Sequence, residues 1–303
     1  MELKNFNELI SILQNDLSKK KAAIAAAQDE HTLEAVFRAQ NDGIVEPVLI
    51  GDKEEIIKCL NNLNVEFDTD KIISTESDTE SAEKAVELVH EKKVDFIMKG
   101  KLQTSDLLKA VVNKEKGLRT GRIMSTVGIQ ELPGYHKLLC ITDAGMVMYP
   151  TLEEKKQILE NAIEVYRAFG YEKPKIAALA AVETVNPKMP ETIDADALKK
   201  MSMSGEIKDC IIEGPISYDL TMSRESAQIK GYDSPVVEDA DILLVPNITT
   251  GNILSKALIY SAGSKSAGMV VGAKVPVVVT SRGSTSEEKY LSLVLCAGAA
   301  NNK

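Results

Sequence analysis

The chain has 303 residues, enough for two domains of ordinary size or one large α/β unit. Its net charge of −9, with no Lys/Arg-rich run, excludes the basic stripe by which proteins hold nucleic acid or an anionic membrane surface. Apolar residues make up 44% but aromatic ones only 4%, with no Trp, so a core must be built from Ala, Val, Ile and Leu, the composition of a doubly wound α/β protein.

In chain order, Met1 to Leu17 carries Leu3, Phe6, Leu9, Ile10, Leu13 and Leu17 among Glu, Lys and Asn, the pattern of an amphipathic helix. No uninterrupted apolar stretch of signal or membrane length occurs, so the chain reads as cytoplasmic. Cys59, Cys140, Cys210 and Cys296 stand far apart, without a CxxC or a nearby His at ligand spacing. They read as small core residues in a reducing compartment, not as metal ligands or disulfides. Lys21 to Ala27 fits a short small-residue strand or a helix, and its context favours strand. Thr32 to Asn41 is predicted helical, Val48 to Gly51 a strand, and Asp52 with Glu55 caps a helix reaching Leu60. A strand at Ile72 and Ile73, a helix over Ser81 to Lys92, a strand over Val94 to Met98 and a helix over Asp106 to Val112 follow. This alternation marks parallel βαβ units.

Gly117 to Gly121 is a loop with Arg119 and Arg122 beside it. Strands Ser125 to Ile129 and Lys137 to Thr142 are separated only by a Pro133-Gly134 turn, which predicts an antiparallel hairpin. Thr151 with Glu154 caps a helix running to Phe169, and the change of texture near residue 145 places a domain crossing there. The alternation resumes with strand Lys175 to Val182, helix Asp194 to Met201, strand Cys210 to Ile212, helix Tyr218 to Lys230 and strand Ile242 to Val245. After a loop from Pro246 to Asn252 comes a helix from Ile253 to Ser261. Val275 to Val279 then reads as a strand buried on both faces, and Ser284 with Glu287 as the capping box that opens the last helix.

Ligands of open parallel sheets bind beyond the carboxyl ends of the strands. Three loops there stand out: Lys99 to Ser105, Asn247 to Asn252 and Ser281 to Ser286, each carrying Gly with Ser, Thr or Asn just before a helix. Amides at a helix start suit a phosphate or carboxylate, and Arg282 adds a bidentate fork for the same anion. Ordinary connectors favour the same residues. Three such loops, in a chain without GxGxxG, a Walker lysine motif or a metal cluster, point to a ligand with several anionic groups. Lys99, Lys101, Arg119 and Arg122 can supply compensating charge, or simply form a solvated face. Glu238, Asp239 and Asp241 look like a metal cluster, but they precede the strand at Ile242 and so lie at the wrong rim; they read as turn acids. His31, His90 and His136 lack mutual spacing for catalysis.

Pro246-Asn247-Ile248-Thr249-Thr250-Gly251-Asn252-Ile253, followed by Val278-Val279-Thr280-Ser281-Arg282, resembles the phosphate acetyltransferase and phosphate butyryltransferase family. Met98-Lys99-Gly100 with Thr104 and Leu107-Leu108, and Glu213-Gly214-Pro215-Ile216-Ser217-Tyr218-Asp219-Leu220, look most like the butyryltransferase branch. The resemblance spans nearly the entire chain. It implies two α/β/α domains with mainly parallel sheets, of the isocitrate/isopropylmalate dehydrogenase-like type, with the active site in the interdomain cleft. A discontinuous first domain would comprise residues 1–144 and 274–303 and carry the Ser-Arg loop. A second, residues 145–273, would carry the Thr-Gly-Asn loop and most of a homodimer interface. The implied reaction converts acyl-CoA and phosphate into acyl phosphate and CoA, with both as substrates, no further cofactor, no metal and no covalent acyl-enzyme.

Within that resemblance Arg282 would hold the phosphoryl group and offset charge on the attacked carbonyl oxygen. Ser281 would hydrogen-bond the sulfur or that oxygen. Amides around Thr250, Gly251 and Asn252, with Asn247, would seat the phosphate. Lys99, Gly100, Thr104 and Arg122 would join them on phosphate or CoA. Where acetyl members carry an Asp after the Ser-Arg pair this chain has Glu288, the candidate for managing the thiol proton, with Glu287 beside it. Phosphate acetyltransferase is the alternative within the family. Two readings of other classes stay open: an NAD-dependent decarboxylating dehydrogenase, whose metal-binding Asp set and nucleotide site the sequence does not show, and a non-catalytic metabolite-binding protein.

Overall fold

A computed structural model describes residues 2–16, 18–281 and 283–300. Met1 and Leu17, the ends of the expected first helix, lie outside the described residues. The chain packs into two compact units, one of residues 6–122 and those from 267 on, the other of residues 2–5 and 123–266.

The first unit opens with α1 (Phe6–Gln14), β1 (Lys20–Ala25), α2 (Glu30–Asn41), β2 (Val45–Gly51), α3 (Lys53–Asn62), β3 (Ile73–Ser74), α4 (Asp78–His90), β4 (Phe96–Lys99) and α5 (Thr104–Val111). The second holds β5 (Ser125–Glu131), β6 (Leu139–Thr142), α6 (Leu152–Ala168), β7 (Lys175–Leu179), α7 (Pro190–Ser204), β8 (Ile211–Ile216), α8 (Tyr218–Met222), α9 (Arg224–Ile229), β9 (Ile242–Leu244) and α10 (Ile248–Ala262). The chain finishes in the first unit with β10 (Lys265–Val271), β11 (Val277–Val278) and α11 (Ser286–Ala299).

In the first unit the strands run β3-β2-β1-β4-β11-β10, parallel from β3 through β11, with β10 antiparallel to β11. The small-residue stretch is a strand: β1 lies centrally, and Ala22 to Ala27 are all wholly buried. A strand covered on both faces takes small and branched apolar side chains, which is why so few aromatics suffice. Helix starts follow from side-chain caps. Asp29 caps α2, Asp52 caps α3 through the amides of Glu54 and Glu55, and Ser77 caps α4.

The second unit has strand order β5-β6-β9-β7-β8, with β5 and β6 the expected antiparallel pair and the rest parallel. Thr151 and Glu154 form the expected capping box of α6. Leu139, Ile141, Ala177, Leu243 and Val245 form its core on one sheet face, with Leu220 and Leu258 packed on them. At the amino ends of these strands Lys137, 1% exposed in its side chain, meets Glu2, Asp239 and Asp241 at 2.9, 2.7 and 2.7 Å. Burial works against the Lys137 ammonium, but its bonds to Asp239 and Asp241 outweigh that and hold it charged. The acidic run is thus a set of turn acids at the rim where it was expected, Asp239 and Asp241 neutralised by lysine and Glu238 paired with Arg224.

Several boundaries differ from the expectation, each for a local reason. Packing divides the chain after Arg122 and Ser266 where residues 144 and 273 were expected, because the β5-β6 hairpin pairs with β9. The expected helix over Tyr218 to Lys230 breaks at Ser223, whose extended backbone ends α8 while its side chain caps α9. The last helix is capped one residue later than predicted: Thr285 with Glu288, not Ser284 with Glu287, forms the box. Glu287 instead pairs with Arg38 of α2, whose guanidinium lies 3.7 Å from the Tyr290 ring centroid. The stretch Ile248 to Asn252, read as loop, is the first turn of α10. Among the described residues no helix is long and apolar enough to cross a membrane.

Candidate active site

In the first unit the parallel ladders end in step: Ala25 pairs with Ile50 and Lys99, and Val278 with Met98. The chain therefore leaves β4 and β11 side by side, and Gly100 and Ser281 share the carboxyl edge of the sheet. At that edge β1 sends its chain toward β2 and β3 while β4 lies on its other flank, the crevice where open α/β sheets take ligands. The backbones press together there. The amides of Gly100 and Lys101 donate to the carbonyls of Ala25 and Ala26, each at 2.8 Å, and a Cβ on Gly100 would stand 2.1 Å from the Ala26 carbonyl oxygen.

Lys99, expected on the ligand, is 6% exposed, and its ammonium donates to the carbonyls of Gly100 and Leu102, both at 3.1 Å. It braces the loop that Thr104 follows. Gln103, at the cap position of α5, makes no side-chain cap bond, and its carbonyl accepts the amides of Asp106 at 3.1 Å and Leu107 at 3.3 Å; the turn before them, with Thr104 and Lys101 exposed, is the part of this helix start open to an incoming anion. Ser281 is exposed, its hydroxyl 3.5 Å from the Gly283 amide. Arg282 lies outside the described residues. Arg122 is exposed at the end of the segment that follows α5, its amide 3.3 Å from the Thr120 hydroxyl.

Glu288 is committed to the start of α11: its carboxylate accepts the Thr285 amide at 3.0 Å while the Thr285 hydroxyl accepts the Glu288 amide at 3.2 Å. Next to it Lys289, which sequence reasoning missed, reaches Asp29 at 2.7 Å and the Thr32 hydroxyl at 2.9 Å. Burial would raise the Asp29 carboxyl, but its bonds to Lys289 and Thr32 carry it below its ordinary value. The ion pair joins the starts of α2 and α11, so the loop before α11 stands on a fixed base.

In the second unit Asn247 caps α10, its side-chain oxygen accepting the Thr250 amide at 3.0 Å and the Thr250 hydroxyl at 3.1 Å. Two of the amides expected to seat phosphate are thereby occupied, since the Gly251 amide bonds the Asn247 carbonyl at 3.1 Å. What faces solvent is the turn itself, with Thr249, Thr250 and Asn252 exposed. Gly251 is buried and lies against the chain leaving β6: an added Cβ would be 2.9 Å from the Ala144 Cα and 3.0 Å from the Asp143 carbonyl oxygen.

These sites can be set against known proteins. The model of the phosphate acetyl/butaryl transferase family matches residues 6–84 and 79–297. This chain belongs to that family. The transferase is 44% identical over 301 residues to a phosphate butyryltransferase of Clostridium acetobutylicum, covering 99% of this chain and 100% of that one. It is 45% identical over 278 residues to a phosphate acetyltransferase of Thermotoga maritima, covering 92% and 94%. Among solved structures it resembles a branched-chain phosphotransacylase from Enterococcus faecalis, with TM-score 0.81, 33% identity and 94% and 100% of the chains covered. Its fold also resembles that of a 4-hydroxythreonine-4-phosphate dehydrogenase from Klebsiella pneumoniae, TM-score 0.52, 14% identity, 93% and 100% covered. The dehydrogenase-like fold and the phosphate acyltransferase activity expected from the sequence both stand.

The transferase works between coenzyme A and phosphate, and its own thiols are poor nucleophiles. Burial pushes Cys140 and Cys296 far above the ordinary thiol range, and burial first also raises Cys59 and Cys210. One group of described side chains could approach a metal, Glu2, His136 and Asp239, with ligand atoms within 4.8 Å of one another. The ammonium groups of Lys137 and Lys175 already bind Asp239 there, so an added cation would meet two positive charges.

Proposed function

We propose that this transferase moves a butyryl or similar short acyl group from coenzyme A to inorganic phosphate, reversibly and directly, with both substrates bound. A phosphate oxygen attacks the thioester carbonyl, the carbon–sulfur bond breaks, and the departing sulfur takes up a proton. The observation that carries this reading is the pairing of β4 with β11, which sets the exposed Ser281 hydroxyl and the uncapped start of α5 on one sheet edge. Ser281 bonds the sulfur or the carbonyl oxygen, and Arg282 holds the phosphoryl group and stabilises the charge that develops. The α5 start with Thr104 and Gly100, and Arg122, hold anionic groups of coenzyme A or phosphate, and Lys99 keeps their loop in shape. The exposed turn at the start of α10, with the Thr250 and Asn252 side chains and the positive end of the helix, seats the phosphate, and Asn247 and Gly251 hold that turn in shape. Holding both reactants supplies the proximity that direct transfer needs. The reaction uses no cofactor or metal beyond its substrates, and the enzyme works in the cytoplasm.

Release of free thiol from butyryl-CoA, measured with and without phosphate, tests this. Thiol should appear only when phosphate is present, and phosphate-independent release would refute the transfer. The high identity to a phosphate acetyltransferase favours a second reading in which acetyl is the preferred group. Two extra methylenes in an apolar slot contribute about 0.8 kcal/mol each, so a butyryl enzyme should prefer butyryl-CoA to acetyl-CoA about tenfold in kcat/KM. A preference for acetyl-CoA would decide for the other reading.

Glu288 is proposed to manage the thiol proton from its place in the capping box. Glu288→Gln keeps a residue that can close the box and removes the carboxyl group that would give the proton to the departing sulfur and take it back in the reverse reaction. Turnover should fall about a hundredfold with melting temperature unchanged. Unaltered turnover would leave Glu288 a cap and nothing more.

The oligomer is proposed to be a homodimer formed by the second unit. Met148, Tyr149, Met203, Ile229, Ile253 and Tyr260, all in that unit, are 63–81% exposed, large apolar side chains of the kind a subunit contact would cover. Sedimentation at the mass of a single chain would rule it out.

A further inference from the structure

Asp143 follows β6 and is 2% exposed, an acid buried at the carboxyl edge of its sheet. Four of its bonds come from backbone amides. One carboxylate oxygen accepts the amides of Gly145 at 2.9 Å, Met146 at 3.1 Å and Thr126 at 3.2 Å, and also the Thr126 hydroxyl. The other accepts the Val147 amide at 3.0 Å. The Thr126 hydroxyl oxygen accepts the Ala144 amide at 3.0 Å, so residues 144–147 are all tied to this one acid, directly or through Thr126. That loop in turn touches α10 twice. The Met148 carbonyl accepts the amide of Ile248, the first residue of α10, at 3.0 Å, and Gly251 lies against Asp143 and Ala144.

We propose that Asp143 is a positioning residue for phosphate: its carboxylate sets the shape of the loop at residues 144–148, and that loop holds the first turn of α10 where the anion binds. The inference rests on the reading of α10 as the phosphate seat. Only an anion suits the position. A carboxylate offers acceptor sites on both oxygens, whereas an asparagine would turn an NH2 group toward a backbone amide, donor against donor. The loop end at Val147 and Met148 would then loosen, and with it the bond to Ile248. Asp143 touches no reacting atom, so its effect must pass through phosphate binding. A purely stabilising acid would affect both substrates alike.

Steady-state kinetics of the full-length enzyme separate these cases. Asp143→Asn should raise the KM for phosphate about tenfold, the change expected from one lost charge-assisted bond, with the KM for butyryl-CoA within about twofold and kcat little changed. Asn247→Ala, measured in parallel, tests the seat itself and should also raise the phosphate KM. If Asn247→Ala leaves phosphate KM unaltered, the α10 seat is wrong and the role of Asp143 falls with it. If Asn247→Ala raises it while Asp143→Asn leaves it unchanged, or raises both KM values equally, only the Asp143 proposal is overturned. Should Asp143→Asn fail to fold, Thr126→Val decides: it removes the hydroxyl that links Asp143 to Ala144 at nearly constant volume. It should raise phosphate KM about threefold and spare butyryl-CoA, and no rise would reject the proposal.

Discussion

Arg282→Ala is expected to lower kcat/KM for phosphate-dependent thiol release by about a thousandfold, the scale of a lost donor to a developing oxyanion. Arg282→Lys should recover only part of this. A lysine ammonium restores the charge, but it cannot present the planar fork that grips two oxygens at once. The variants should fold normally, because α11 is held by its own capping box and by the Lys289 to Asp29 ion pair. Near-normal activity of Arg282→Ala would remove the guanidinium from the chemistry. The family relationship would survive that result; the proposed mechanism would not.

Gly251→Ala should damage the enzyme for a different reason. The added methyl would stand 2.8 Å from a Val245 methyl, 2.9 Å from the Ala144 Cα and 3.0 Å from the Asp143 carbonyl oxygen. Two of these three neighbours are backbone, so α10 must move away from β6 or the chain after β6 must yield. Overpacking of this kind costs about 1–3 kcal/mol. The expected readings are a lowered melting temperature and a phosphate KM raised at least about tenfold, since a helix start displaced by a few tenths of an ångström no longer meets its anion squarely. Gly263→Ala is the control. Gly263 ends the same helix at φ +69° with nothing within 4 Å of an added Cβ, so it should lose about 1 kcal/mol from backbone strain and leave phosphate KM alone. Equal effects of the two substitutions on phosphate KM would mean that α10 acts through general stability and not as a seat.

Both predictions turn on residues the sequence already marked, yet what each residue does was legible to different degrees. Asn247 was marked as a ligand residue in a loop and not as a cap, although a cap is local: an Asn three residues before Thr250 can fold its side chain back on that amide without help from the rest of the chain. The exact start of the last helix was not legible locally. Ser284 and Thr285 are both competent caps, and the pairing of Glu287 with Arg38 on α2 accompanies the choice of Thr285. Lys99 shows a related limit. A lysine beside glycine at a strand end resembles an anion ligand, but its ammonium here turns inward to the Gly100 and Leu102 carbonyls. Asp143 gave no local sign beyond its place in a turn, because its donors come from Thr126 on the neighbouring strand as well as from the loop.

The amino-acid order alone determined the alternation of strands and helices, the small-residue strand, the caps at Asp52 and Thr151 and the family, because periodicity, capping and short motifs are properties of neighbours along the chain. Only the tertiary structure decided which strand lies beside which, where the chain divides, that Lys99 faces inward and that the Asp143 carboxylate gathers the amides of the loop after β6. These depend on groups far apart in sequence that meet only when the sheet is assembled, and no local pattern encodes such a meeting.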